Sequence, residues 1–232
     1  MIAVRRSNDR GAVNMGWLNA KHSFSFGNYY DPDHMGFGPL RVINEDRIEP
    51  SQGFGTHGHK DMEIVTYIIE GALEHKDSMG NGSVIRRGDV QRMTAGTGVM
   101  HSEFNHSAEV QTHLLQIWLL PEESGLVPGY EDKTFAEADK KNQLRLIVSR
   151  DARAGSLQIN QDADVFASVL ETGASVTHQL RDGRGAWVQV IRGQVALNSE
   201  TLDAGDGASV STSCELEMTA LEEAEFLLFD MA

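Results

Sequence analysis

The sequence predicts an all-β protein made of two tandem β-barrels. Short segments rich in β-branched and aromatic residues alternate with turns along the chain, and 23 glycines punctuate them. Helical periodicity is scarce, with residues 133–141 as a weak candidate. The second half of the chain also resembles the first, which indicates a duplicated unit.

The clearest strand segments lie in the first half of the chain. They are residues 40–43, 63–69, 72–75 and 113–120. Both faces of residues 112–120 are largely apolar, so we expect this strand to be buried on both sides. The residues Met79-Gly80-Asn81-Gly82 accept positive φ angles, and they predict a hairpin turn between residues 72–78 and 83–87.

The internal repeat sets the predicted domain boundary. The segment EIVTYIIEG, which starts at Glu63, resembles GAWVQVIRG, which starts at Gly185; further on, RGDV resembles AGDG. Each repeat would form one barrel, and the acidic, lysine-rich residues 131–142 would link them. We therefore expect an N-terminal domain at residues 1–132 and a C-terminal domain at residues 133–232.

Composition and charge narrow the class of protein. The 20 Lys+Arg against 34 Asp+Glu give a net charge of -14, which disfavours direct binding of nucleic acid. The single cysteine, Cys214, cannot form an internal disulfide, and the start MIAVRRSNDR lacks the apolar region of a secretory signal, so we expect a cytoplasmic protein. The longest apolar runs, such as residues 114–120, are far shorter than the ~20 residues that span a bilayer.

The main functional signal is two pairs of residues of the types that bind metals. The members of each pair are separated by one residue, and the pairs are His57-x-His59 and His101-x-Glu103. Residues two apart on a strand point to the same face, so two such strands side by side would supply three imidazoles and a carboxylate. The sequence therefore predicts a mononuclear metal site. Four protein ligands leave two positions of an octahedron open, which is typical of catalysis rather than of a structural site.

The second repeat lacks an equivalent ligand set. When the repeats are aligned, Gln179 and Arg181 fall at the positions of the first histidine pair, and Met218 and Ala220 fall at those of the second pair. His178 stands alone and is interpreted as an ordinary histidine. We expect one metal per chain, held by the N-terminal barrel.

Other residues near the pairs have open or structural interpretations. His113 lies on a strand that could line the same barrel and support a ligand, and the role of Glu63 is left open. The remaining histidines are expected to be ordinary surface or core residues: His22, His34, His75 and His106. Three methionines are expected to fill the core, and three phenylalanines to pack or to wall an apolar cavity: Met62, Met93, Met100, Phe24, Phe26 and Phe54.

The spacing around the two pairs resembles the two motifs of the cupin superfamily. The segments THGHKDMEIVTYIIEG and GDVQRMTAGTGVMHSEFN carry this resemblance, although Gly96 replaces the usual proline of the second motif. Cupins are small β-barrels of the jelly-roll type with a metal in the mouth. The resemblance thus implies that the two predicted barrels are cupin barrels and that the protein is a bicupin.

Four runs narrow the resemblance to the pirin family, particularly its bacterial members with quercetin dioxygenase activity: HSFSFGNYYDP, MGFGPLRVINED, GFGTHGHKDMEIVTYIIEG and AGTGVMHSEFN. Pirins bind one metal, usually iron, through the positions occupied here by His57, His59, His101 and Glu103. In pirins, Glu103 takes the place of the general cupin ligand at Glu63. The resemblance implies Fe(II), while the donor set would also suit Zn, Cu, Mn, Ni or Co.

The resemblance implies a quercetin 2,3-dioxygenase, which would open a flavonol with O2 and release carbon monoxide. We expect the protein to be a monomer. Glu103 would both bind the metal and accept the proton of the substrate hydroxyl. A second interpretation is a non-enzymatic regulatory protein, which senses redox state through its metal and binds a transcription factor as eukaryotic pirins are thought to do. A third is a sugar-phosphate isomerase, for which Arg41, Arg86 or Arg92 would clamp the phosphate.

Overall fold

Strands account for nearly all regular structure in the computed structural model, which describes residues 2–232. The first strands in chain order are β1 (Ile2–Arg5), β2 (Gly11–Asn14), β3 (Leu18–His22), β4 (Leu40–Ile48), β5 (Gly53–His59), β6 (Glu63–Glu70), β7 (Ala72–Asp77), β8 (Gly82–Arg86), β9 (Asp89–Thr94), β10 (Val99–Asn105), β11 (Thr112–Leu119) and β12 (Gly129–Thr134). They are followed by β13 (Arg145–Ser149), β14 (Leu157–Gln158), β15 (Ala163–Leu170), β16 (Ser175–Leu180), β17 (Gly185–Arg192), β18 (Gln194–Leu197), β19 (Glu200–Asp203), β20 (Gly207–Val210), β21 (Cys214–Ala220) and β22 (Ala224–Met231). The predicted all-β fold is confirmed.

Helical structure is confined to short turns in the described chain. Of the weak helical candidate at residues 133–141, four residues form the helix α1 (Glu137–Lys140), and 3-10 turns cover Ser7–Asp9 and Arg153–Gly155. No helix among the described residues is long and apolar enough to cross a membrane.

The chain divides into two compact units. The N-terminal unit comprises Gly11–Thr134 and Ile159–Gln161, and the C-terminal unit comprises Phe135–Gln158, Asp162–Ala232 and the residues up to Arg10. The first ten residues thus depart from the predicted division, because β1 pairs in antiparallel register with β20. The predicted linker also begins inside a strand, since β12 pairs with β9 at the edge of the N-terminal unit.

The N-terminal unit consists of two antiparallel sheets. The larger has the order β12-β9-β6-β11-β4-β3-β2, and the smaller has the order β5-β10-β7-β8. Apolar residues of both sheets pack against one another, as in the cluster that contains Ile68 and Leu114 of the larger sheet and Leu73 and Ile85 of the smaller one. The four predicted strands and the hairpin between β7 and β8 are confirmed. Strand β11 is buried on both faces, as predicted.

The C-terminal unit repeats this strand order. Its sheets have the orders β1-β20-β17-β22-β15-β13-β14 and β16-β21-β18-β19. Strand β17 therefore corresponds to β6, β22 to β11, β16 to β5 and β21 to β10. This correspondence supports the duplication that the sequence indicates. A separate core of buried aliphatic residues and Phe226 fills the unit.

Candidate metal centre

Neighbouring strands of the smaller sheet carry the two predicted ligand pairs. His57 and His59 lie on β5, and His101 and Glu103 lie on β10, with His57 and His101 as direct cross-strand partners. The pairing register shifts between His101 and Glu103, which indicates a β-bulge that re-aims the second side chain. The strand spacing thus brings the three histidines together, as the sequence predicts.

The three imidazoles converge on one point. The Nε2 atoms of His57 and His101 are 3.1 Å apart, and the ring centroid of His59 lies 4.8 Å from that of each of the other two. A separation of about 3 Å suits neighbouring nitrogen ligands of one ion bound at about 2.1 Å. The Nδ1–H of His57 donates to the carbonyl oxygen of Gly55 at 2.8 Å, which leaves Nε2 with its lone pair free to bind a metal.

Burial keeps His59 and His101 neutral. Together with the proximity of His57, it lowers the pKa of His59 to about 4 and that of His101 to about 3. Neutral imidazole is the form that binds a metal ion. The electrostatics of the site therefore favour metal binding at neutral pH.

Glu103 has one buried carboxylate oxygen without a protein partner. Its Oε2 accepts a hydrogen bond from Nε2 of Gln116 at 2.9 Å, while Oε1 has no hydrogen-bond partner among the described residues. Burial raises the pKa of Glu103 to about 7, and the Gln116 hydrogen bond opposes this only in part. A buried oxygen without a partner is costly, so the donor set fits a cation that would satisfy it.

Glu103 lies close to His75, a residue that the sequence does not predict to be part of the site. The candidate ligand atoms of Glu103, His101 and His75 all lie within 4.8 Å of one another, and those of His57, His59 and His101 form a second such group. His101 belongs to both groups. The structure thus unites the three predicted histidines and places Glu103 beside His101 and His75.

His75 is buried directly behind His101. Its Nδ1 lies 3.5 Å from Nδ1 of His101, its Nε2 lies 3.3 Å from Oδ2 of Asp77, and its ring stacks on Tyr130 at 4.8 Å. The interpretation of His75 as an ordinary core histidine missed this contact. The signal lies in the pairing of β7 with β10, which places His75 opposite Glu103. That pairing is not readable from local spacing.

Glu63, whose role the sequence left open, has no free carboxylate oxygen. Its Oε2 accepts a hydrogen bond from Oγ1 of Thr94 at 2.9 Å, and its Oε1 accepts one from Nδ2 of Asn160 at 2.9 Å. The side chain is fully buried, and burial raises its pKa. Glu63 therefore joins β6 to β9 and to residues 159–161, and its oxygens are already engaged.

His113, which the sequence offers as a candidate for supporting a ligand, contacts Glu45. Its Nε2 lies 2.9 Å from Oε1 of Glu45. Two residues on the opposite face of β11 contact the site: Gln116 donates to Glu103, and the ring centroid of Trp118 lies 4.8 Å from that of His59. Gln116 is anchored in turn by Oγ1 of Thr66, which donates to its Oε1 at 3.0 Å.

A cavity of about 410 Å³ opens beside the histidines. Its lining combines aromatic rings with polar groups and two glycines: Trp17, Phe26, Phe54, Trp118, Asn44, Asp46, His57, His59, Glu103, Gln116, Gly53 and Gly55. Phe26 and Phe54 thus line the cavity, whereas Phe24 is in the core. A volume of this size, mostly apolar with a few polar groups, suits a small aromatic ligand.

The flanking methionines differ from one another. Met93 is buried in the core and Met62 packs against it, as predicted, but Met100 is exposed. Gly96, which replaces the usual proline, has a φ of 48°, and a Cβ there would lie 2.0 Å from the carbonyl oxygen of Leu126. Proline holds φ near about −65°, so this turn excludes it and requires glycine.

The C-terminal unit holds neither of the two ligand groups found in the described residues. When Met218 is aligned with His101, strand pairing places His178, and not Arg181, at the position of His59. The sequence alignment is therefore wrong at this strand. Nε2 of His178 lies 2.6 Å from Oδ2 of Asp230, and Arg184 Nε donates to the other carboxylate oxygen. An ion pair thus occupies this position.

Comparison with known proteins identifies both halves of the chain. The Pirin family model matches residues 3–119, and the model of a quercetinase C-terminal cupin domain matches residues 146–231. A quercetin 2,3-dioxygenase of Escherichia coli K12 is 46% identical over 231 residues, covering 100% of this chain and 99% of the relative. A pirin-like protein of Caulobacter vibrioides is 40% identical, and the similarity covers 100% of both chains.

Solved structures agree with the sequence relatives. The crystal structure of the bacterial pirin YhhW from Escherichia coli in complex with nickel(II) has a TM-score of 0.95 at 46% identity, covering 100% of this chain and 99% of that one. Another crystal structure of YhhW has a TM-score of 0.96. The pirin resemblance of the sequence motifs is thereby confirmed, and the chain belongs to the pirin family of bicupins.

Proposed function

We propose that this protein is a quercetin 2,3-dioxygenase, a metal-dependent enzyme that cleaves flavonols with O2. The observation that carries the proposal is the convergence of His57, His59 and His101 beside an aromatic cavity of about 410 Å³, which His57 and His59 line. The Escherichia coli relative named quercetin 2,3-dioxygenase supports it, since the similarity extends over the whole chain.

His57, His59, His101 and Glu103 would hold one divalent ion, and we propose Fe(II). The related pirin YhhW has been crystallised in complex with nickel(II), and imidazole and carboxylate donors suit a broad range of divalent metals. When bound, the metal supplies a Lewis acid that favours the deprotonated substrate hydroxyl and a redox centre for O2.

The cavity walls would position a planar substrate. Trp17 and Phe54 meet edge to face at 5.2 Å between ring centroids, and Phe26 meets Trp118 in the same way. Aromatic faces and edges of this kind bind flat rings and exclude water from the reacting atoms. The flavonol would lie among these four rings with its 3-hydroxyl toward the histidines.

Glu103 would handle the substrate proton. Gln116 holds its Oε2, its Oε1 has no protein partner, and the residue lines the cavity, so the carboxylate is placed to accept the proton of the 3-hydroxyl. In the overall reaction both oxygen atoms of O2 enter the ester product, two carbon–carbon bonds of the central ring break, and the carbon that bears the hydroxyl leaves as carbon monoxide. The proton held by Glu103 returns to the product carboxylate.

Oxygen uptake and carbon monoxide release test the proposal. Metal-loaded protein should consume O2 with quercetin and release carbon monoxide, whereas luteolin, which lacks the 3-hydroxyl, should be inert. His101→Ala should fall to background because it removes one of the three converging imidazoles. The proposal fails if no flavonol is consumed by protein loaded with Fe, Mn, Co, Ni, Cu or Zn.

The alternative functions have less support. None of Arg41, Arg86 and Arg92 lines the described cavity, so a phosphate clamp for a sugar-phosphate isomerase is missing there. The comparisons favour the enzyme over a regulatory protein that binds a transcription factor. The cytoplasmic location and the monomeric state stay predictions.

A further inference from the structure

The cavity has a polar wall that the metal chemistry above does not use. Asn44 and Asp46 lie two residues apart on β4, so their side chains share the face that lines the cavity. Both residues are buried. Oδ1 of Asn44 and Oδ1 of Asp46 each lack a hydrogen-bond partner among the described residues.

Neighbouring side chains do not satisfy these two oxygens. Asn44 and Asp46 are paired across the sheet with Gln116 and Leu114 of β11. The Gln116 amide is already engaged with Glu103 and Thr66, and leucine has no polar side chain. Leaving a buried polar atom without a partner costs about 1–3 kcal/mol, so two such atoms in one cavity wall indicate groups that meet a ligand.

The ligand must bring hydrogen-bond donors to this wall. Residues two apart on a strand are separated by about 7 Å, so the two side chains can contact separate groups of one ring system. Burial, followed by the charges of Glu103 and Glu45, raises the pKa of Asp46 to about 7, so its carboxyl can also donate when it is protonated. Phenolic hydroxyls both donate and accept, and they match such a wall.

We propose that Asn44 and Asp46 form a specificity subsite that hydrogen-bonds phenolic hydroxyls remote from the hydroxyl directed at the histidines. This inference rests on the proposed function and names its substrate class: flavonols with hydroxylated outer rings, rather than flavonols that carry only the 3-hydroxyl. A site built to bind a hydroxyl rejects the analogue without it, because its buried polar groups then stay unpaired.

The test compares quercetin with 3-hydroxyflavone, which lacks the remote hydroxyls. For each we would measure kcat/KM of the metal-loaded protein from O2 uptake, and Kd from anaerobic titration. The wild type should favour quercetin at least about tenfold, as expected for one or two hydrogen bonds. Asp46→Leu and Asn44→Leu should each lower the ratio of kcat/KM for quercetin to that for 3-hydroxyflavone about tenfold.

Two further variants control for structural damage. Asp46→Asn keeps the shape and one acceptor oxygen, so it should keep more of the preference than Asp46→Leu. Arg41→Gln alters a residue of the same strand that does not line the cavity, and it should leave the quercetin preference unchanged. Metal content and melting temperature identify variants that misfold; if the leucine variants do, Asp46→Asn and Asn44→Ser must show the reduced preference instead.

Failure of this inference and failure of the proposed function have different signatures. If the wild type consumes both flavonols and the substitutions leave the quercetin preference unchanged, the subsite is overturned and the dioxygenase stands. If the wild type consumes neither flavonol, the proposed dioxygenase activity is rejected. The anaerobic Kd values then test the subsite by themselves. Tighter binding of quercetin that the substitutions abolish supports the subsite, and equal Kd values for the two flavonols overturn it.

Discussion

Gln116 donates a hydrogen bond from Nε2 to Oε2 of Glu103 at 2.9 Å, and this contact orients a carboxylate whose other oxygen has no protein partner. Glu63 has the opposite arrangement, because Thr94 and Asn160 engage both of its oxygens. The two glutamates are both buried, and they differ in the capacity left for a cation. This difference favours the pirin assignment, in which Glu103 is the ligand, over the general cupin assignment, in which Glu63 is the ligand.

Glu103→Gln should lower metal affinity more than about tenfold, because it removes the anionic donor while keeping the shape of the side chain. Glu63→Gln should leave metal affinity near that of the wild type and lower the free energy of unfolding by about 1–3 kcal/mol through its disturbed hydrogen bonds. Competition with a chromophoric chelator measures the affinities. Loss of metal in Glu63→Gln with retention in Glu103→Gln would show that the general cupin pattern applies.

His75→Leu should lower metal affinity about 10- to 100-fold although it removes no proposed ligand. The reason is the contact of His75 with Nδ1 of His101, which holds that ring with Nε2 toward His57. His75→Asn should recover part of the affinity because its Oδ1 can accept the same hydrogen bond. His106→Leu is the matched control, since His106 is exposed and directly follows the last residue of β10; an equal loss of metal affinity in this variant would contradict the role given to His75.

The sequence predicts the parts of the site that depend on local spacing. His57-x-His59 and His101-x-Glu103 share faces because strand periodicity is a property of neighbouring residues. His75 and Asp46 reach the site through strand pairings distant in sequence, β7 with β10 and β4 with β11. Such pairings are set by tertiary packing, and no local pattern contains them.

The repeat alignment fails at His178 for a related reason. The aligned segments that start at Glu63 and Gly185 are indeed corresponding strands, but the segment before them differs in length between the repeats. Carrying the same alignment back to β16 therefore misplaces its residues, and only the pairing of His178 with Leu216 reveals its position. Insertions in turns change the register without changing the strand order.

Gly96→Pro, which restores the usual residue of the cupin motif, should destabilise the protein by about 3 kcal/mol or more. The φ of 48° at Gly96 is inaccessible to proline, and the backbone of Leu126 lies where a side chain would go. Gly55→Ala is the control, because its added Cβ meets no atom within 4 Å. Urea denaturation measures both variants, and equal stability of Gly96→Pro and the wild type would contradict the structure.

One equivalent of metal should bind per chain, and His178→Ala should leave that stoichiometry unchanged. His178 stands at the position of His59, but Asp230 and Arg184 form an ion pair there with no imidazole partner for a second ligand pair. Metal analysis after gel filtration gives the count. Two equivalents in the wild type that fall to one in His178→Ala would assign a second site to the C-terminal unit.

In the metal-free protein, Asp46 should make the wild type lose stability relative to Asp46→Asn between about pH 4 and pH 7. Burial, with the charges of Glu103 and Glu45, raises the pKa of Asp46 in the folded state to about 7, far above the ordinary value of 3.8. The folded protein therefore binds more protons than the unfolded chain in this range, and the stabilising contribution present at low pH is lost as the pH rises through 7. One such group contributes a slope of at most about 1.4 kcal/mol per pH unit. Asp46→Asn should remove this contribution and be more stable than the wild type at pH 8, as measured by urea denaturation of chelator-treated protein; parallel curves for the two proteins would show that Asp46 is ionised in the folded state throughout.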